Sequence, residues 1–198
     1  MPCRRSARSR SSTSSTLIRR REILLGLAAL AAGPVLAHTP YRQWKVLRQR
    51  FLLVHSTRTD PAGDALAERL VAILQRELPQ ANALVARATN ERQLARLLAS
   101  AQALVAVMRP RDAEDFFHAR AAFAGLEGHA LRRLVDVEDR VLAAVDAFPR
   151  HHAWLVSAAL SENAGGLAVR VSRAAGSTVP VHAGALAFAR GEPMPEDS

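Results

Sequence analysis

Three polar stretches, each following an apolar run, hold most of the side chains that could do chemistry. His55-Ser56-Thr57-Arg58-Thr59 comes after Phe51–Val54 and leads into Asp60-Pro61. Thr89-Asn90 comes shortly after Ala83–Ala86, and Arg109-Pro110 directly after Ala103–Met108. Hydroxyl donors beside a guanidinium fork suit a carboxylate or phosphate, because the fork can give two parallel charge-assisted hydrogen bonds. Ser56, Thr57 and Arg58 are therefore candidate anion-binding residues, with Thr89 and Asn90 as companions if the stretches meet at one edge.

Other chemistries find less support. Neither a Walker pattern nor a GxGxxG opens a helix, so the backbone cradle that dinucleotides need is missing. His151 and His152 are adjacent, about 100° apart on a helix, and no HExxH or i, i+4 histidine pair occurs. No GxSxG elbow presents a serine nucleophile. Glu114-Asp115 and Glu138-Asp139 read as solvated charge in a first helical turn and in a turn. No metal or cofactor is expected, and the chain reads as non-catalytic. A hydrolase built from His55, Ser56 and His182 ranks last among the readings.

The elements that must position these residues follow from the apolar pattern. Phe51–Val54 reads as a strand buried on both faces. Asp60 is placed to cap a helix with Pro61 in its first turn, and Leu66, Leu70, Ile73, Leu74 and Leu78 recur at helical spacing until Pro79. The unit then repeats. Ala83–Ala86 is a strand, Asn90 with Gln93 forms a capping box, Leu94, Leu97 and Leu98 make a stripe, and Ala103–Met108 is a third strand. Such alternation predicts an α/β domain with a mainly parallel sheet flanked by helices.

Further on, a helix is expected over 111–122, successive strands over Leu131–Val137 and Val141–Val145, and a helix from Phe148-Pro149 to Asn163, with Trp154, Leu155, Ala158 and Ala159 inward. Pro180 to Phe188 reads as a closing turn and short helix. In a parallel sheet ligands gather beyond the carboxyl ends of the strands, which here are the three polar stretches.

The first 37 residues read as a leader. Arg19-Arg20-Arg21 precedes an apolar run from Ile23 to Ala32, and Val35-Leu36-Ala37 offers small residues for cleavage. The run is too short to span a bilayer, and Arg20-Arg21-Glu22-Ile23-Leu24 is similar to a twin-arginine signal. Export to the periplasm is expected, with inner-membrane anchoring if the leader stays. Of the 27 basic and 18 acidic residues, 20 and 17 remain after Ala37, a net +3 that gives no case for nucleic acid. The single cysteine, Cys3, would be lost with the leader. Residues 38–50, carrying Tyr41 and Trp44, form a lead-in; 51–190 are one domain, and 191–198 a frayed tail.

The segment Val179-Pro180-Val181-His182-Ala183-Gly184-Ala185 resembles the closing "P-L-H-P-G-A" of the TAXI group of TRAP-transporter solute receptors, with Ala183 in place of the second proline. Glu162-Asn163 resembles the "E-N" pair that ends the family's late helix. Ala88-Thr89-Asn90 through Leu98 lies where the family has a ligand-contacting "G-S-x-x-N-L" stretch, with Thr89 and Leu94 as counterparts and Asn90 a looser one. The resemblance implies a periplasmic-binding-protein-like (type II) fold and a small organic anion as solute. It adds His182 to Ser56, Thr57, Arg58, Thr89 and Asn90 as ligand-binding residues. The family inserts a second lobe after the position of Val145, so the resemblance implies a one-lobed relative, weak without a second wall. The alternative reading is an accessory, protein-binding subunit of an exported respiratory or dehydrogenase complex, with Tyr41 and Trp44 as docking residues.

Overall fold

The computed structural model describes residues 51–171 and 177–196. The expected leader and lead-in, with Tyr41 and Trp44, and the last two residues of the expected tail lie outside them.

The chain runs β1 (Leu53–Thr57), α1 (Pro61–Glu77), β2 (Leu84–Ala88), α2 (Glu91–Ala99), β3 (Val105–Met108), α3 (Pro110–Phe117), β4 (Leu131–Val137), β5 (Arg140–Val145), α4 (Arg150–Glu162), β6 (Val169–Arg170) and α5 (Ala183–Ala189). Six strands form one sheet in the order β2-β1-β3-β5-β4-β6. The first unit is as the apolar runs imply: β1 pairs in parallel with β2 on one side and β3 on the other.

The sheet as a whole is mixed. β5 is antiparallel to both β3 and β4, and β6 is antiparallel to β4. A "mainly parallel" sheet therefore describes the first three strands and overstates the rest. The cause is Glu138-Asp139, which link two apolar segments directly. Two residues can join antiparallel neighbours but cannot carry the chain back for a parallel pairing.

Alternation along the strands feeds two cores. Val54, Val105, Val107, Leu142 and Ala144 face α1 and α4, through Leu70, Leu74, Val156 and Leu160. Ala106, Met108, Val141, Ala143 and Val145 face α2 and α3, through Leu94, Leu98, Ala113 and Phe116. A bulge between Arg133 and Val135 shifts the phase of β4, so Leu131 joins the second core while Val135 and Val137 join the first.

Some local expectations change. β1 runs on through His55, Ser56 and Thr57, all buried, where the polar composition suggested a loop. β2 is an outer strand with Leu84 exposed, and α3 stops at Phe117. In α4 the adjacent His151 and His152 are buried, whereas Trp154 and Leu155 are only half-buried. Asn90 caps α2, accepting from the Gln93 N–H at 2.9 Å. The Gln93 side chain, however, takes the Thr89 N–H at 2.7 Å, one residue before the position of a regular capping box.

Candidate functional site

The chain leaves β1 for α1 on one face of the sheet and leaves β3 for α3 on the other. The strand order thus reverses at β1, which opens a crevice between the carboxyl ends of β1 and β3, the customary place for ligands in open α/β sheets. It is lined by Thr57, Asp60, Glu91, Leu94, Val107, Met108, Arg109 and Asp112. The first turns of α1, α2 and α3 all reach it, each with backbone N–H groups free at its start.

Most of its charge is already paired. Glu91, in the first turn of α2, accepts from Thr59 Oγ1 at 2.9 Å, from Thr57 Oγ1 at 3.4 Å and from Arg109 Nη2 at 3.0 Å. Arg109 Nε also meets Asp112 Oδ2 at 2.7 Å. Asp112 first, and Glu91 and Asp60 after it, raise the Arg109 pKa and hold its charge in place.

Asp60 stands at the N-cap position of α1, but its side chain makes no capping hydrogen bond there. Instead Arg140, the first residue of β5, grips it with two hydrogen bonds of 2.9 Å each. The Arg140 fork lowers the Asp60 pKa, outweighing the opposing effect of burial. Arg140 also reaches Asp139. Because β5 runs backwards, its start comes to the edge where β1 and β3 end, and this is what lets residues 80 apart in sequence meet.

The expected binding residues divide. Thr57 lines the crevice. Ser56 points to the opposite face, as its neighbour in a strand must. There its hydroxyl donates to Asp64 Oδ1 at 2.7 Å, and Arg87 Nε lies 2.8 Å from the same carboxylate. Burial raises the Asp64 pKa, but these hydrogen bonds bring it below the ordinary value. Arg58 is exposed at the end of β1, and its guanidinium has no partner among the described residues. Thr89 and Asn90 sit at the same edge, engaged in the start of α2.

His182 is elsewhere. Its N–H donates to the Arg133 carbonyl and its ring contacts the Phe148 carbonyl, near the amino ends of β1 and β3. The structure therefore does not bring it to the edge shared by Thr57, Arg58 and Thr89. Nor do the three residues of the ranked-last hydrolase converge. His55 Nδ1 lies 3.3 Å from the Val105 carbonyl, on the face of β1 opposite Ser56. Its pKa is lowered chiefly by burial.

Sequence reasoning missed Arg140 and Glu91. The spacing Arg109-x-x-Asp112 was a readable i, i+3 signal, but nothing local announces the Asp60–Arg140 pair. Among the described residues no cluster of His, Cys, Asp or Glu could hold a metal ion. Comparison with known families, with characterised proteins and with solved structures finds no match for this chain.

Proposed function

We propose that residues 51–190 form an exported, non-catalytic binding module that takes a small organic anion at the edge where β1, β2 and β3 end. In this reading it is a one-lobed relative of the TAXI-type solute receptors, of type II periplasmic-binding-protein-like fold, working in TRAP-type transport. The observation that carries the reading is the position of Arg58. It is an exposed guanidinium at that edge without a partner among the described residues, next in sequence to Thr57, which lines the crevice. Arg109 and Arg140, by contrast, are neutralised by carboxylates.

The depth of the crevice limits the affinity. Its enclosed volume is about 10 Å³, space for a single water. A ligand would lie on the edge with one side in solvent, so a dissociation constant of about 1 mM is expected unless a second copy or a partner covers it. At about 10 mM ligand, such binding stabilises by about 1.4 kcal/mol, a rise of roughly 3–6 °C in melting temperature. Thermal shift with acetate, succinate and phosphate tests this. Arg58→Ala should abolish the rise, and a rise of equal size in that variant, or none in the unmodified protein, would dismiss the site.

A second reading, the accessory subunit, has its own support. Phe51 and Leu84 are large apolar side chains each 43% exposed, and Leu84 lies on the outer strand β2. An outer strand with an apolar exposed residue suits pairing with another chain. In this reading a complex isolated by size exclusion dissociates when Leu84→Asp is introduced. A complex indifferent to that change would remove β2 as its interface.

A further inference from the structure

His182 is 1% exposed and caps α5, a role in which both ring nitrogens have fixed parts. Nδ1 accepts the Gly184 N–H at 3.2 Å, so it carries no proton. Nε2 then carries the ring proton and donates to the Phe148 carbonyl at 2.9 Å. A second proton has one place to go, Nδ1, where an N–H would point at the N–H of Gly184. Donor would meet donor, and the cap would be lost.

We propose that His182 is a proton-operated latch: neutral, it ties α5 to the loop after β5; protonated, it releases α5 while the sheet stays folded. α5 is a short element late in the chain, and His182 anchors its start. Beyond the cap it rests on α4, Gly184 lying against the Arg150 carbonyl and Ala153 and the Phe188 ring standing edge-on to Trp154, on the first core through Ala185, and on β4 through the His182 N–H and the Arg133 carbonyl.

The charged and titratable groups around the ring come from each neighbouring element. Asp146, after β5, favours protonation, while Arg132 of β4 and Arg150 of α4 oppose it. The Phe148 ring neighbours both His182, at 6.2 Å, and His152 of α4, at 5.9 Å, and His151 lies beside His152. Burial is the largest influence and lowers the pKa below that of a free imidazole; the Phe148 hydrogen bond offsets part of it. The sign follows from proton uptake. The unfolded or released ring binds a proton more readily than the docked one, so docking is fully stable above about pH 6.5 and weakens as the pH falls below that.

Hydrogen exchange on the intact chain, corrected for intrinsic rates, is the test. Between about pH 7.5 and about pH 5, protection at Gly184, Leu186 and Ala187 should fall at least about tenfold, while Val54 and Ala106 keep theirs. In His182→Asn, whose amide can cap without titrating, the pH-dependent loss should vanish. Imidazole nitrogen NMR of the unmodified protein gives a second readout that needs no variant. It should find the proton on Nε2 at neutral pH, with Nδ1 protonation tracking the loss of protection. Protection that ignores pH, an equal loss in His182→Asn, or a neutral ring protonated at Nδ1 would each overturn the latch.

Discussion

Gly184→Ala is expected to lower the melting temperature by roughly 6–12 °C, a large effect for a single added methyl group. Gly184 is not needed for an unusual backbone angle; it is needed because two helices touch there. A β-carbon at this position would fall inside the Arg150 carbonyl oxygen and 2.9 Å from Ala153 Cβ. The obstacle is backbone in the first turn of α4, which cannot swing aside as a side-chain end could. Overpacking of this kind costs about 3 kcal/mol, and each kcal/mol moves the midpoint by about 2–4 °C in a chain of this size. Calorimetry of the variant checks it. A midpoint within about 2 °C of the unmodified protein would mean that α5 does not sit against α4 as described.

Arg140→Ala should be nearly as costly and should differ in its pH dependence. Its side chain is 10% exposed and that of Asp60 14%, so removal strands a carboxylate in a largely dry place. Breaking a fully buried pair costs about 3–5 kcal/mol; with partial exposure about 2–3 kcal/mol is expected. Arg140 depresses the Asp60 pKa. The stability this represents is present above the unfolded value near 3.9 and is lost as pH falls through the lower folded value. Urea unfolding at about pH 7 and about pH 3 should therefore find the gap between the two proteins narrowing in acid. A gap of constant width would mean that the ion pair is not what Arg140 contributes.

What could be read from the residues in advance was whatever rested on neighbours in sequence. The apolar runs at Val54, Val85 and Val105, punctuated by Asp60-Pro61, Pro79 and Asn90, suffice for three parallel strands with helices between them. The end of β1 was hidden because polarity does not reveal partners. Ser56 tolerates burial only through Asp64, and His55 beside the Val105 carbonyl. The antiparallel half was half visible: the two-residue link at Glu138-Asp139 was there to be read, but its consequence for strand direction reaches β3, which no local pattern contains. The crevice was legible as an edge but not as a set of contacts, since Asp60 meets Arg140 across 80 positions of chain. His182 stood out by its type, and the sequence alone could not place it at the far end of the sheet.

The order in which strands fill the sheet bears on how the domain can be built. β1 is made first yet lies between β2 and β3, and β3 gains its outer neighbour only when β5 arrives. One core draws on residues from Leu52 to Ala185, the other from Ala88 to Val179. A growing or truncated chain that stops short of Val179 thus leaves greasy surface open on both sides of the sheet at once. No half of this domain can be finished before the whole.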